Sequence, residues 1–188
     1  MAQPARKRPP RTRRARKQTL RPASSGRRGI RQEPALTHLT PDGALRMVDV
    51  SAKPPTSRTA VAAGSITIGA AALRLLRSGK APKGSALEAA RLAGIMAAKR
   101  TSELVPLCHP VRLTHVAIEF EAKRTGYVIR ATARTTSETG VEMEALTAVS
   151  VAALTLYDML KAADRGMVIG DIRLMEKAGG RSGTYRRG

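Results

Sequence analysis

Four aromatic side chains in 188 residues, Phe120, Tyr127, Tyr157 and Tyr185, leave this chain little choice about its interior. Hydrophobic residues still make up 42% of it, mostly Ala, Leu, Val, Ile and Met. With so few rings to span wide gaps, helices and strands must approach closely and interlock through small aliphatic groups. The length suits one domain with a short extension.

Charge shows where the extension lies. Residues 1–34 hold twelve Lys and Arg against Glu33 alone, a net of +11, which leaves +9 of the chain's +20 on residues 35–188. The first 34 residues are also rich in proline and carry only Leu20 and Ile30 as sizeable aliphatics. Such a segment cannot bury enough apolar surface to offset the entropy of ordering, so it reads as a disordered basic tail ahead of a domain over 35–188. The tail is open to three readings: a nonspecific arm for polyanions, a transit peptide without clear amphipathic period, or an extension with no role. The single cysteine, Cys108, permits no intrachain disulfide, which excludes a secreted disulfide scaffold and fits a reducing cytoplasm. No apolar run reaches the roughly 20 residues expected of a membrane span, so no membrane partner is expected.

Periodicity divides the domain. Pro41-Asp42-Gly43 is a turn, and Met47–Val50 reads as short and extended. Thr59–Ile68 is a strand candidate, followed by helices over Ala70–Arg77 and Ser85–Glu103. Leu113–Lys123 alternates, with Val116, Ile118 and Phe120 on one face, and Thr125-Gly126 turns it into a partner strand over Tyr127–Thr136. Val141–Ala163 is the longest helix, and Met167–Met175 a last strand. Strand, helices, two strands, helix, strand is the order of an α+β, ferredoxin-like plan: an antiparallel sheet with helices packed on one face. The bare face invites a second subunit.

Several clusters could carry chemistry. Asp158 and Lys161 are neighbours on one helix face, which taken alone describes an ordinary surface ion pair. Lys83, beside Gly84, taken alone is a loop lysine. Leu107-Cys108-His109-Pro110 is a bend with a thiol and an imidazole side by side, without the ligand spacing of a zinc site. Thr139 is placed to cap the long helix, whose first turn carries Glu142, Met143 and Glu144. Gly179-Gly180-Arg181-Ser182-Gly183 is either a backbone cradle for phosphate or a frayed terminus, and it is no P-loop.

Together the segments are specific. Met47-Val48-Asp49-Val50-Ser51 with Lys53, Thr56 and Arg58 comes first, then Lys83-Gly84 and Ala90-Arg91-Leu92-Ala93-Gly94-Ile95 running on to Ala97-Ala98-Lys99-Arg100-Thr101. Pro106–Pro110, Thr139–Ala148, Tyr157-Asp158-Met159 with Lys161-Ala162, and Lys177 before Gly179-Gly180 complete the series. In this order, residues 37–183 resemble the cyclic pyranopterin monophosphate synthases. The resemblance implies a lyase of molybdenum cofactor biosynthesis. It converts (8S)-3′,8-cyclo-7,8-dihydroguanosine 5′-triphosphate to cyclic pyranopterin monophosphate and releases pyrophosphate. It also implies a homohexamer, a trimer of dimers, with sites at dimer interfaces.

That reaction assigns the residues. Arg58, Lys83, Lys161 and Lys177 match the family's cationic positions, suited to a triphosphate. Lys83 and Lys161 are the candidates for proton transfer, and Asp158 matches the position usually assigned as catalytic. Leu107, Cys108, His109, Met143 and Glu144 match segments that contact substrate. No cofactor is required, though Mg can accompany the triphosphate, and no protein-held metal is expected. Two departures stand out: Ser85 where relatives often carry Asp, and Arg181 where they often carry Lys. A nucleic-acid-binding protein is the rival from another class. The tail has no aromatic platform for single strands, so nucleic acid is a partner open to the tail through phosphates alone.

Overall fold

A computed structural model of the chain describes residues 38–79 and 84–188. The basic segment 1–34 and Lys83 lie outside the described residues. The elements are β1 (Thr56–Thr67), α1 (Ala70–Arg77), α2 (Ala86–Ala98), α3 (Thr101–Leu104), β2 (Leu113–Lys123), β3 (Gly126–Ser137), α4 (Glu142–Leu160), β4 (Val168–Ala178) and β5 (Tyr185–Arg186). The strands form one antiparallel sheet in the order β2-β3-β1-β4-β5. Setting β5 aside, the order 2-3-1-4 is that of the expected ferredoxin-like plan.

The sheet has two ends. Thr56 pairs with Ser137 at one end of β1, and Thr67 pairs with Gly126 and Val168 at the other. Helix α4 leaves β3 at the first end and enters β4 at the second, while α2 makes the return trip towards β2. The two helices are therefore antiparallel.

Alternation decides what is buried. Ala60, Ala62 and Ile66 of β1, with Tyr127, Ile129, Ala131 and Ala133 of β3, are buried under the helices. Val61, Val128, Arg130 and Thr132 take the alternate positions and are only half-buried. The core is as finely grained as the composition requires. Helix α4 buries Ala145, Ala148, Val149, Ala152, Ala153 and Leu156. A Cβ on Gly64 of β1 would come within 2.7 Å of Val149 Cγ1, and one on Gly94 of α2 within 2.9 Å of the Ala148 carbonyl oxygen. Both glycines let α4 settle; filling either site costs about 1–3 kcal/mol by overpacking. By length and composition α4, with 19 residues, could cross a membrane, contrary to the sequence reading; it serves instead as the core helix.

Three local expectations change. The helix expected over Ser85–Glu103 breaks at Lys99-Arg100, where Arg100 takes φ −114 and ψ 15, and resumes as α3. Helix α4 has Val141, not Thr139, at its N-cap, and no side chain caps it. Met47–Val50, read as short and extended, pairs into no sheet, and around the expected turn an isolated bridge joins Leu39 and Leu45. The glycine-rich terminus is anchored rather than frayed, because β5 pairs Tyr185 with Lys177 and the Arg187 amide donates to Met175 O at 2.8 Å.

Candidate active site

At the Thr56 end of the sheet, register brings cations together. Lys177 pairs opposite Ala60, and Arg58 stands two residues along β1, so both occupy the sheet face that carries the helices. Arg58 Nη2 donates to Glu138 O at 3.1 Å. Its Nε is buried without a hydrogen-bond partner among the described residues. A buried guanidinium N–H left unpaired is costly and marks a place for an acceptor such as an anion.

The tail is built around that arginine. Gly179 and Gly180 take φ +94 and +74, and a Cβ on either would overlap Ser57 O or Arg58 Nη1 respectively. Only glycine allows both the left-handed backbone and the crossing over Arg58. Beyond the crossing, Lys177 Nζ donates to Ser182 Oγ. The glycine run thus functions as a strap over Arg58. A cavity of about 150 Å³ opens here, lined by Lys53, Arg58 and Lys177 and by the Glu138–Glu142 stretch.

A second cavity, of about 310 Å³, adjoins it and shares Lys53, Thr139, Gly140 and Glu142. Its walls are Leu107, Cys108 and His109 from the bend after α3, and Met143 and Glu144 from the first turn of α4. His109 Nε2 lies 2.8 Å from Val48 O. A carbonyl only accepts, so Nε2 carries the hydrogen, and whenever the ring is neutral Nδ1 is the acceptor. That bond fixes the Val48–Ser51 stretch on the site. Next to it, the Ser51 amide at 2.9 Å and Ser51 hydroxyl at 2.7 Å hold the Asp49 carboxyl below its usual range.

Glu144 is only 4% exposed, and burial, with the nearby Glu142 charge adding to it, pushes its carboxyl upward. Burial likewise raises the Cys108 thiol, and Glu144 adds to that. Cys108 is therefore no ready thiolate, and its part in the site is to form the wall. Among the described residues no group of three or more His, Cys, Asp or Glu is placed to hold a metal.

Seven of the expected residues thus gather: Arg58, Leu107, Cys108, His109, Met143, Glu144 and Lys177 line the two adjoining cavities. Asp158 and Lys161 do not join them. They form their expected pair, with Lys161 Nζ 2.7 Å from Asp158 Oδ1, both about half exposed at the far end of α4. Fourteen residues separate Glu144 from Asp158, about 21 Å of helix. Lys83 lies outside the described residues; its neighbour Gly84 takes φ +83 and leads into Ser85, which caps α2 by accepting from the Glu88 amide at 3.4 Å. Ser85 thus caps the helix as an Asp at the same position would. Lys53, which lines both cavities, was missed as a site residue. Its signal was its place two residues after Ser51 in the first matching segment.

An α+β sandwich with a cation-lined, anion-seeking site at one end of its sheet is the class these features define. The chain belongs to the MoaC family, whose model matches residues 47–180. It is 60% identical over 153 residues to a protein of Parvibaculum lavamentivorans, covering 80% of this chain and 96% of that one. It is likewise 60% identical over 154 residues to one of Thermomicrobium roseum, covering 81% and 93%. Both are named cyclic pyranopterin monophosphate synthase. A Mycobacterium bovis protein named cyclic pyranopterin monophosphate synthase 2 is 57% identical over 152 residues, covering 81% of this chain and 91% of its own.

Proposed function

We infer that the chain is a cyclic pyranopterin monophosphate synthase, the lyase that converts (8S)-3′,8-cyclo-7,8-dihydroguanosine 5′-triphosphate to cyclic pyranopterin monophosphate and pyrophosphate in molybdenum cofactor biosynthesis. The observation that carries the reading at the level of chemistry is the unpaired Arg58 Nε among Lys53 and Lys177. Three cations against Glu138 and Glu142 around a small polar cavity suit a polyphosphate, and the guanidinium offers it fixed, forked donors. The wider cavity beside it takes the ring system, against Leu107, Cys108, His109 and Met143. His109, with Nδ1 as acceptor, and Glu144, inclined to keep its proton, are suited to opposite ends of hydrogen bonds with a pterin edge.

The proton-transfer groups in this reading are Lys161, oriented by Asp158, and Lys83. Because Asp158 and Lys161 stand about 21 Å along α4 from Glu144, one chain cannot bring them to a substrate held at Arg58. A second chain does so. Two-fold pairing across the middle of α4 sets the Asp158 end of one chain against the Glu144 end of its partner. Exposed Leu92 and Met96 on α2 and Leu154 on α4, at 63%, 40% and 58%, supply apolar surface for such an interface. The assembly is a homo-oligomer, a hexamer of three dimers. A Mg ion would enter with the triphosphate on its phosphate oxygens, and the lone, wall-forming cysteine supports a cytoplasmic location. The deciding experiment is incubation of the purified chain with the cyclic GTP-derived intermediate. Stoichiometric pyrophosphate and pterin are expected, and their absence with folded, oligomeric protein overturns the reading.

A further inference from the structure

The other end of the sheet holds a further cavity, apart from the two that gather Arg58 and Glu144. It measures about 240 Å³ and is lined by Arg74 and Arg77 of α1, Arg124 of the β2–β3 turn, and an apolar floor of Ile68, Ala70 and Leu73. Arg74 and Arg77 are three apart in α1 and so project from one side of it. Arg77 is held towards the turn, its Nη2 donating to Lys123 O at 2.7 Å. The turn itself is fixed by the Ile68 amide, which donates to Thr125 O at 2.9 Å. No carboxylate lines the cavity, and none of the three arginines has an ion-pair partner among the described residues. Arg58 is ten residues back along β1 from Ile68, about 33 Å of strand, so this is not the cation cluster of the same chain's active site.

Three like charges converging on one concavity repel unless an anion enters. Proximity to the C-terminus of α1 accounts for Arg74 and Arg77 but not for Arg124, which comes from another element. We propose that this pocket is an oxyanion site that takes the di- or triphosphate group of a small molecule. Guanidinium forks grip phosphate oxygens in pairs, and three of them match a group with several oxygens better than a single carboxylate. The volume fits the phosphate chain, with Ile68 and Leu73 left to meet whatever apolar part the ligand carries. Free pyrophosphate and a nucleoside triphosphate share this chemistry.

The test reads binding, so it stands apart from whether the chain turns over the substrate proposed above. The full chain is titrated with inorganic pyrophosphate, and separately with GTP, by calorimetry at low salt. Two sites per chain are expected, one of which disappears in Arg58→Ala/Lys177→Ala and the other in Arg74→Ala/Arg77→Ala/Arg124→Ala. Each single arginine replacement should weaken the second site by about tenfold. GTP matching pyrophosphate assigns the site to the phosphate chain alone, and tighter GTP assigns it to a nucleotide; both support the proposal. Unchanged pyrophosphate stoichiometry and affinity in the triple variant overturns it. So does a fall in its basal turnover, since that would make these arginines part of the active site. If the triple variant loses its fold, Arg124→Ala, in an exposed turn, carries the test by itself, and unaltered pyrophosphate affinity in that variant overturns the proposal.

Discussion

If a working site needs Arg58 from one chain and Lys161 from another, two inactive variants should repair each other. Arg58→Ala removes the guanidinium under the glycine strap, and Lys161→Ala removes the cation paired with Asp158 at 2.7 Å. Each homo-oligomer carries its defect in every site. In a mixed dimer of two-fold symmetry, one site receives both altered residues and the other receives neither. Random pairing at equal amounts makes about half of the dimers mixed, and half of their sites intact, so the mixture should recover about a quarter of wild-type turnover. Each variant alone should sit far lower, Lys161→Ala by the roughly 10²–10⁴-fold typical of a proton-transfer group. The assay is pyrophosphate release by co-expressed or reassembled mixtures across a range of ratios, with oligomer mass checked by light scattering. Recovery should be greatest at equal amounts. The roughly 21 Å of α4 between Glu144 and Asp158 is what forbids a one-chain site. A mixture no more active than the mean of its two components would refute the shared site.

Three further outcomes follow from single side chains. Lys161→Arg keeps the charge but cannot release a proton, so kcat should fall by roughly 10²–10⁴-fold with little change in substrate Kd, and Asp158→Asn should act in the same direction; near-normal kcat in Lys161→Arg would leave Lys161 as an electrostatic clamp. Gly180→Ala, at φ +74 with a Cβ overlapping Arg58 Nη1, should raise KM at least about tenfold, whereas Gly183→Ala, at φ +63 in open space, should show only the backbone cost of about 1 kcal/mol; equal effects would deny the strap its role. Glu144 keeps its proton to higher pH when folded than when unfolded, so the stability it contributes is intact in acid and is lost as pH rises through the folded-state value. Glu144→Gln abolishes that loss, and its stability relative to wild type in urea unfolding should rise from acid towards neutrality, with a limiting slope of about 1.4 kcal/mol per pH unit; a pH-independent difference would contradict it.

The parts of this chain that were legible in its sequence are those with a period. Strand β2 and helix α1 fall where alternation and helical spacing place them, and the order of elements gave the topology. Signals without a period were less faithful. The alanine-rich run from Ala86 carries no proline or glycine stop at Lys99-Arg100, so the break before α3 was invisible. Thr139 has the chemistry of a cap, but the chain from Ser137 to Gly140 is committed elsewhere: Glu138 O receives Arg58, and the Glu142 carboxylate folds over Gly140. The two residues of β5 have no pattern to read, because their place depends on the crossing at Gly179-Gly180.

The site residues divide in the same way, for a physical reason. Arg58 and Lys177 are joined by strand register, and His109 and Glu144 line one cavity because α2 returns antiparallel to α4; both relations follow from the fold of one chain. Asp158 and Lys161 stand on the same helix as Glu144, and that helix keeps them apart. A 19-residue rod is too rigid to fold back on itself, and its fine-grained packing against Gly64 and Gly94 leaves it no room to kink. The scarcity of aromatic residues thus bears on function. Small side chains let α4 lie close to the sheet, which holds Glu144 and the Asp158–Lys161 pair at a set separation. In the proposed dimer a symmetric partner closes that distance with the same rod reversed, and the precision of the proposed composite site then rests on the alanine-lined core as much as on the charged residues.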